Sequence, residues 1–290
     1  MGAFAPLAID LYVPAFLQIQ EGLSTTDAEV KKTLTLFLAG LCIGMMFYGP
    51  LSDKYGRRNI ILIGAVIYSV TSIFSTFIAN IEGLQTLRLI QAIGAGACMV
   101  VGRAVIRDVF KGKQVAVMMS VVQVIMMIAP LLAPIIGVAV LYIFESWRAL
   151  FWVLTFFGSM AFFLTFFFLP ETYKEEDRPE ITIAQTFKNY LLIIQDRRSL
   201  GAMLGCALPA GIVFAYVTGS SYLYQDQYGL TEFHFSILFG LNIVGVILSA
   251  LLNIYLLRRF SVIGMIIFGL IWISVAGIVM LVFGDDSLVG

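Results

Sequence analysis

Asp10 is the one carboxylate lying well inside an apolar stretch, within Pro6-Leu-Ala-Ile-Asp-Leu-Tyr-Val-Pro-Ala15. A charge at the centre of a membrane helix costs on the order of 2.5–3.5 kcal/mol on insertion scales, so such residues usually have work to do. A carboxyl that takes up and gives back a proton there suits a reversible proton carrier. The structural alternative is a carboxylate that only pairs with an arginine to hold helices together. Arg88 is the natural partner, six residues below Glu82, whereas Asp10 lies eleven below Glu21. At ~1.5 Å per residue these depths are roughly 9 and 16 Å, a gap an arginine side chain spans if the two helices touch. Gln91 shares the face of Arg88, and Tyr12 supplies a hydroxyl close to Asp10 in sequence.

A second group of charges is compact. Gly49-Pro-Leu-Ser-Asp-Lys-Tyr-Gly-Arg-Arg58 reads as a tight turn between two apolar stretches. Gly49 and Gly56 permit close approach and positive φ. Asp53 stands four residues before Arg57, so the two can pair, and Arg58 adds a further positive charge. Lower on the stretch that holds Arg88 come Arg103, Arg107 and Asp108. Arg103 fits either a charge cluster or a side chain reaching out to lipid phosphate.

The elements that position these residues are membrane helices. Sixty percent of the 290 residues are apolar and 12% charged, against roughly half and a quarter in soluble domains. So much apolar surface needs lipid as its solvent. A helix crosses ~30 Å of hydrocarbon with roughly 20 apolar residues, and charge-free stretches then predict nine spans. These are Ala3–Gln20, Thr33–Ser52, Asn59–Ile81, Gly83–Ile106, one within Gln114–Phe144, Ala149–Pro170, Ser199–Gln225, Phe235–Leu257 and Phe260–Gly284. Between the sixth and seventh lies the polar stretch Glu171–Arg198, in which Ile183, Phe187, Tyr190, Leu191 and Ile194 recur at helical spacing. That pattern predicts an amphipathic helix on the membrane surface.

Basic residues set the orientation. Alternate loops hold Lys54, Arg57, Arg58; Arg107, Lys111, Lys113; Lys174, Arg178, Lys188, Arg197, Arg198; and Arg258, Arg259, against Lys31, Lys32 and Arg148 in the opposite loops. The N-terminus and the 171–198 segment are therefore expected in the cytoplasm. The division predicted is a six-helix bundle over 1–170, a linker over 171–198 and a partial bundle over 199–290. An odd number of spans, and an opening stretch without a basic flank, suggest a six-plus-six plan missing its last three helices.

Other chemistries find little support. The 18 basic and 18 acidic residues cancel, so no bulk charge points to nucleic acid. Cys42, Cys98 and Cys206 sit far apart in apolar runs and read as core residues, without the spacing of a metal or disulfide set. Gly219-Ser-Ser221 and His234 are the only candidates for an intramembrane hydrolase, with no further motif to supply an oxyanion hole. No repeated carbonyl filter or ring of like charges suggests a channel. We therefore expect a transporter with no catalytic residue, no cofactor and no metal.

The Gly49–Arg58 turn resembles the signature GxLaDrxGrk of the major facilitator superfamily. Leu87-Arg-Leu-Ile-Gln-Ala-Ile-Gly94 is similar to the RxxQG motif of drug:proton antiporters, with Ala92 in place of the usual glycine. Ala129-Pro-Leu-Leu-Ala-Pro-Ile-Ile-Gly137 is similar to the antiporter motif gxxxGPxxGG, matching at Pro130, Pro134 and Gly137. Val138 departs from the final glycine, and its branched side chain is expected to widen a close helix contact. With Pro6–Ala15, Ser146-Trp-Arg148 and Leu169-Pro-Glu-Thr172, the chain resembles the bicyclomycin-resistance (Bcr/CflA) multidrug efflux group from Pro6 to about Arg259. The resemblance implies an all-α fold of two six-helix bundles around a central cavity. It also implies export of amphipathic antibiotics in exchange for protons, by a monomer of the bacterial inner membrane. It sets Asp108 beside Asp53 and Arg57 as a cytoplasmic latch. An inactive fragment of such a transporter, or a facilitator of another small solute, stands as the alternative.

Overall fold

The computed structural model describes residues 4–172, 183–256, 259–260 and 262–283, and every regular element among them is helical. The first apolar stretch is not one helix. It forms α1 (Phe4–Asp10) and α2 (Phe16–Gly22), joined through a 3-10 turn at Val13–Ala15. Pro14 explains the break, because it has no N–H and its ring crowds the carbonyl four residues back. The chain tightens locally in response. Tyr12 N–H donates to the Ile9 carbonyl at 3.2 Å and Ala15 N–H to Tyr12 at 3.1 Å.

The long helices follow as α3 (Asp27–Tyr55), α4 (Arg57–Phe77), α5 (Ile81–Val109), α6 (Lys113–Phe144) and α7 (Arg148–Phe168). Then come α8 (Ile183–Gln195), α9 (Arg197–Ser221), a π-helical stretch over Tyr222–Gln227, α10 (Glu232–Leu256) and α11 (Val262–Phe283). Polar side chains mark the starts. Thr26 caps α3 and Asn80 caps α5, each accepting from a backbone N–H three residues on. Asp196 caps α9, and hydrogen bonds from Ser199, first its hydroxyl and then its backbone N–H, hold that carboxyl below its ordinary pKa.

Six stretches are long and apolar enough to cross a bilayer: α3, α4, α5, α6 from Val117, α7 and Arg197–Asp226. The chain is thus an all-α, multi-pass membrane protein. Nine spans were expected. The difference lies in the first, which is broken, and in α10 and α11, whose apolar windows among the described residues, Phe233–Val246 and Gly264–Ile278, are shorter. The stretch expected as a helix in the linker forms α8, with Leu191 and Ile194 exposed, while residues 173–182 lie outside the described residues.

Helix α5 is the centre of the assembly, packed against α3 and α4, with α7 on the far side of α4. Without a hydrophobic force between helices in lipid, close approach depends on small residues. A Cβ at Gly44 of α3 would stand 2.6 Å from the Ile93 carbonyl oxygen of α5, so only glycine allows this contact. The short α1 is held against α5, α6 and α7, and α10 packs on α6. Exposed Phe156, Phe163 and Phe167 on α7 turn outward to lipid.

Candidate functional site

Arg88 is fully buried, and the partners of its two terminal nitrogens organise the centre of the bundle, while its Nε has no hydrogen-bond partner among the described residues. One Nη donates to the Gln91 side-chain oxygen at 2.8 Å, and the other donates to the backbone carbonyl of Ala8 at 2.8 Å. That carbonyl is available because the helix tightens at Ile9–Tyr12, so the Tyr12 N–H turns to Ile9 instead. The guanidinium also lies 4.3 Å from the ring centre of Phe37 and 4.5 Å from that of Tyr12. A desolvated cation over aromatic faces gains roughly 2 kcal/mol. Gln91 passes the chain on, donating to Ser72 Oγ of α4 at 2.6 Å. Arg88 therefore ties the broken first span to α4 and α5.

Asp10 is buried too but faces the other way. It lines a cavity of about 370 Å³ together with Pro6 and Ile9 of α1, Leu41, Met99, Met126, Pro130, and Val213, Phe214, Tyr216, Val217, Phe239, Asn242 and Val246 of α9 and α10. The wall is apolar apart from a few polar atoms, the usual character of a site for small organic molecules. The expected pairing of Asp10 with Arg88 is not formed. Among the described residues the ion pairs are Lys31–Asp27, Lys32–Glu29, Arg57–Asp53 and Arg57–Asp108. The depth estimate treated the first span as a continuous helix, whereas Asp10 ends α1 on the cavity side and Ala8 meets the arginine. Arg88, Gln91 and Tyr12 are buried behind the cavity wall. The Tyr12 hydroxyl is 3.0 Å from Thr33 Oγ1 of α3 and does not reach the cavity.

The proline-rich stretch of α6 backs onto the break. A Cβ at Gly137 would stand 2.6 Å from the Leu11 carbonyl oxygen, so the absence of a side chain lets α6 touch the unwound backbone directly. Ala133 and Pro134 are buried one turn earlier, and Pro130 reaches the cavity. Val138 does not widen this contact, contrary to expectation, because it points to a separate outer recess with Gln18, Glu21 and Tyr142. Ala92 is likewise accommodated: its Cβ faces Gly40 on α3.

At the other end, the expected turn over Gly49–Arg58 shrinks to one residue, because α3 runs to Tyr55 and α4 starts at Arg57. Gly56 has φ +93°, a conformation that side-chain-bearing residues avoid. Arg57 is buried, ion-paired to Asp53 at 2.5 Å and to Asp108 at 3.0 Å, and donates to Ser52 Oγ. Gly49 and Asp53 line a recess of about 340 Å³ with Arg103 and Arg107. Arg58 donates to the Phe166 carbonyl at 2.7 Å.

Sequence reasoning missed Glu171. Gly56 has no side chain to cap α4, and the Glu171 carboxylate does so instead, accepting from the backbone N–H of Arg57 at 2.9 Å and of Arg58 at 3.3 Å. Thr172 donates to Asp108 at 3.5 Å. A glycine cap with no local acceptor was the available signal. His234 is exposed and bonded to Thr231 at 2.7 Å.

Comparison with known proteins adds a family. The Major Facilitator Superfamily profile matches residues 1–290. The chain is 36% identical to a bicyclomycin resistance protein homolog of Haemophilus influenzae, over 86% of this chain and 62% of that one. It is 28% identical to the multidrug resistance protein MdtL of Shewanella sp. strain ANA-3, over 95% of this chain and 69% of the relative. Among solved structures, the crystal structure of a bacterial homolog to the human lysosomal transporter Spinster superposes with a TM-score of 0.66 at 18% identity. That match covers 89% of this chain and 62% of the Spinster homolog. The chain thus spans a little under two thirds of the Haemophilus relative.

Proposed function

The chain belongs to the major facilitator superfamily, and on that premise we propose that it is the larger part of a proton-coupled multidrug exporter. It works as a monomer in the bacterial inner membrane, with its N-terminus and the Asp53 turn in the cytoplasm. The distribution of lysine and arginine between alternate loops supports that orientation. The substrates proposed are amphipathic antibiotics such as bicyclomycin or chloramphenicol, in keeping with the names of the relatives. The coupling ion is the proton, with no other cofactor.

The observation that carries this is Asp10. It is a buried carboxyl, it lines the apolar cavity, and no arginine or lysine is ion-paired to it among the described residues. A proton carrier must exchange its charge without tearing apart a fixed ion pair, and it must do so beside the substrate. Pro14 and Gly137 place it at the end of a broken helix, where a small backbone change alters its exposure. The Arg57 cluster serves as a latch on the cytoplasmic side, made in one state and opened in the other.

Asp10→Asn tests the assignment. In proteoliposomes holding the full gene product, the substitution should abolish drug movement driven by a pH gradient while drug binding stays measurable. Uphill export by the Asn variant with the parent's pH dependence would remove Asp10 from the mechanism.

A further inference from the structure

Three recesses follow one another along α5, each joined to the next by shared side chains. The Asp10 cavity includes Met99 of α5 and Met126 of α6 in its wall. The same two methionines line a second recess of about 280 Å³ between α5 and α6, which extends to Arg103. Arg103 in turn lines the third, of about 340 Å³, which ends at Asp53, Arg57 and Arg107. Residues 99, 103 and 107 are four apart and share a helix face, so the line follows α5 for roughly 12 Å. It is open at Gly102, where no atom beyond its own stretch of helix lies within 4 Å of the position a Cβ would take.

The charges along this line are uneven. Arg57 is matched by Asp53 and Asp108. Arg103 and Arg107 have no ion-pair partner among the described residues. Arg103 donates instead to the Met126 sulfur across the seam, at 3.6 Å. A thioether is a weak acceptor, so this contact aims the guanidinium into the gap without cancelling its charge.

We infer that the α5–α6 seam is the inner route to Asp10 and that Arg103 stands in it as a charge filter, admitting neutral or anionic solutes rich in acceptor oxygens and holding back lipophilic cations. This rests on the transport function proposed above. A cleft with low-dielectric walls focuses the field of the charges that line it, and a guanidinium offers several donors to carbonyl or nitro oxygens. Farther in, Asp10 carrying its proton offers a donor and an acceptor but no charge. One acceptor-bearing solute thus meets a partner at each end of the seam.

The test needs no transport. Gly102→Cys is introduced into the full chain carrying Cys42→Ala, Cys98→Ala and Cys206→Ala, and the protein is placed in lipid nanodiscs. It is then reacted with an anionic and a cationic methanethiosulfonate, and the ratio of rates is normalised to that of free cysteine. The anionic reagent should be favoured by roughly tenfold. The preference should vanish in Arg103→Gln and return in Arg103→Lys. Val122→Cys, on the facing wall, gives a second reporter should Gly102→Cys fold poorly. If neither cysteine reacts with either reagent, Arg103 faces lipid and the route is overturned. If both react with a ratio indifferent to Arg103, the filter is overturned. An Arg103-dependent ratio in a chain that moves no drug supports the filter and counts against the transport function.

Discussion

Arg57 and Arg88 are both buried in the same bundle, yet Arg57 is ion-paired to two carboxylates and Arg88 to none. Arg57 is met by two carboxylates, and the cluster opens at one edge, where the Asp53 side chain is 39% exposed. Such a set of pairs is made or broken at modest cost, since partly solvated ion pairs contribute little net energy. Arg88 is held by a backbone carbonyl, an amide oxygen and aromatic faces. None of those partners carries a formal charge. The contrast teaches that one arginine is held by charges, as the proposed latch requires, and the other by neutral partners, although both sit within motifs of the same family.

The contrast breaks most readily at Arg88. Arg88→Ala removes the donor from the Ala8 carbonyl and Gln91 and leaves a void between Tyr12 and Phe37. The expected destabilisation is about 3–5 kcal/mol, read as the largest fall in melting temperature of the variants considered. Arg88→Lys should recover only part of it, because a single ammonium cannot fork to both acceptors. A parent-like melt for Arg88→Ala would mean that this arginine is no clamp.

Next in size is Asp53→Asn. Asp108 remains on Arg57 at 3.0 Å, so thermal stability should change little. The balance between cytoplasm-open and cytoplasm-closed states should instead shift by about tenfold, equivalent to ~1.4 kcal/mol. Cysteine accessibility on the Asp53 side measures this, and unchanged labelling would remove the latch. The smallest effect belongs to Glu171→Gln. The single amide oxygen replaces only one of the two acceptors, and the charge facing the N-terminus of α4 is lost, for about 1 kcal/mol. High salt should mimic that loss in the parent while leaving the Arg88 contribution untouched.

Local chemistry was legible in the sequence, and directions were not. The reversal at Gly56 was readable because Asp53 and Arg57 stand four residues apart beside it, and Asp10 stood out because nothing near it in sequence is charged. Its separation from Arg88 was hidden by treating Pro14 as a passenger in a straight helix. Ala8 could not be seen as an arginine acceptor, since a backbone carbonyl leaves no mark in the residue type. Glu171 was quoted as a motif residue without a role, because its partners lie 113 and 114 positions away. The apolar run of α6 marked it as a span, yet which of Gly137 and Val138 met the broken helix depended on its rotation.

The break in the first span also bears on how the chain enters the membrane. Each of α1 and α2 has seven residues, roughly 10 Å of helix, far short of the ~30 Å a bilayer requires. Neither piece has the length to stay in lipid alone, and the backbone groups freed between them need protein partners there. The donor from Arg88 and the close face of Gly137 belong to helices made well after this segment leaves the ribosome. The broken segment therefore reaches its final place late, after α5 and α6 have arrived to receive it.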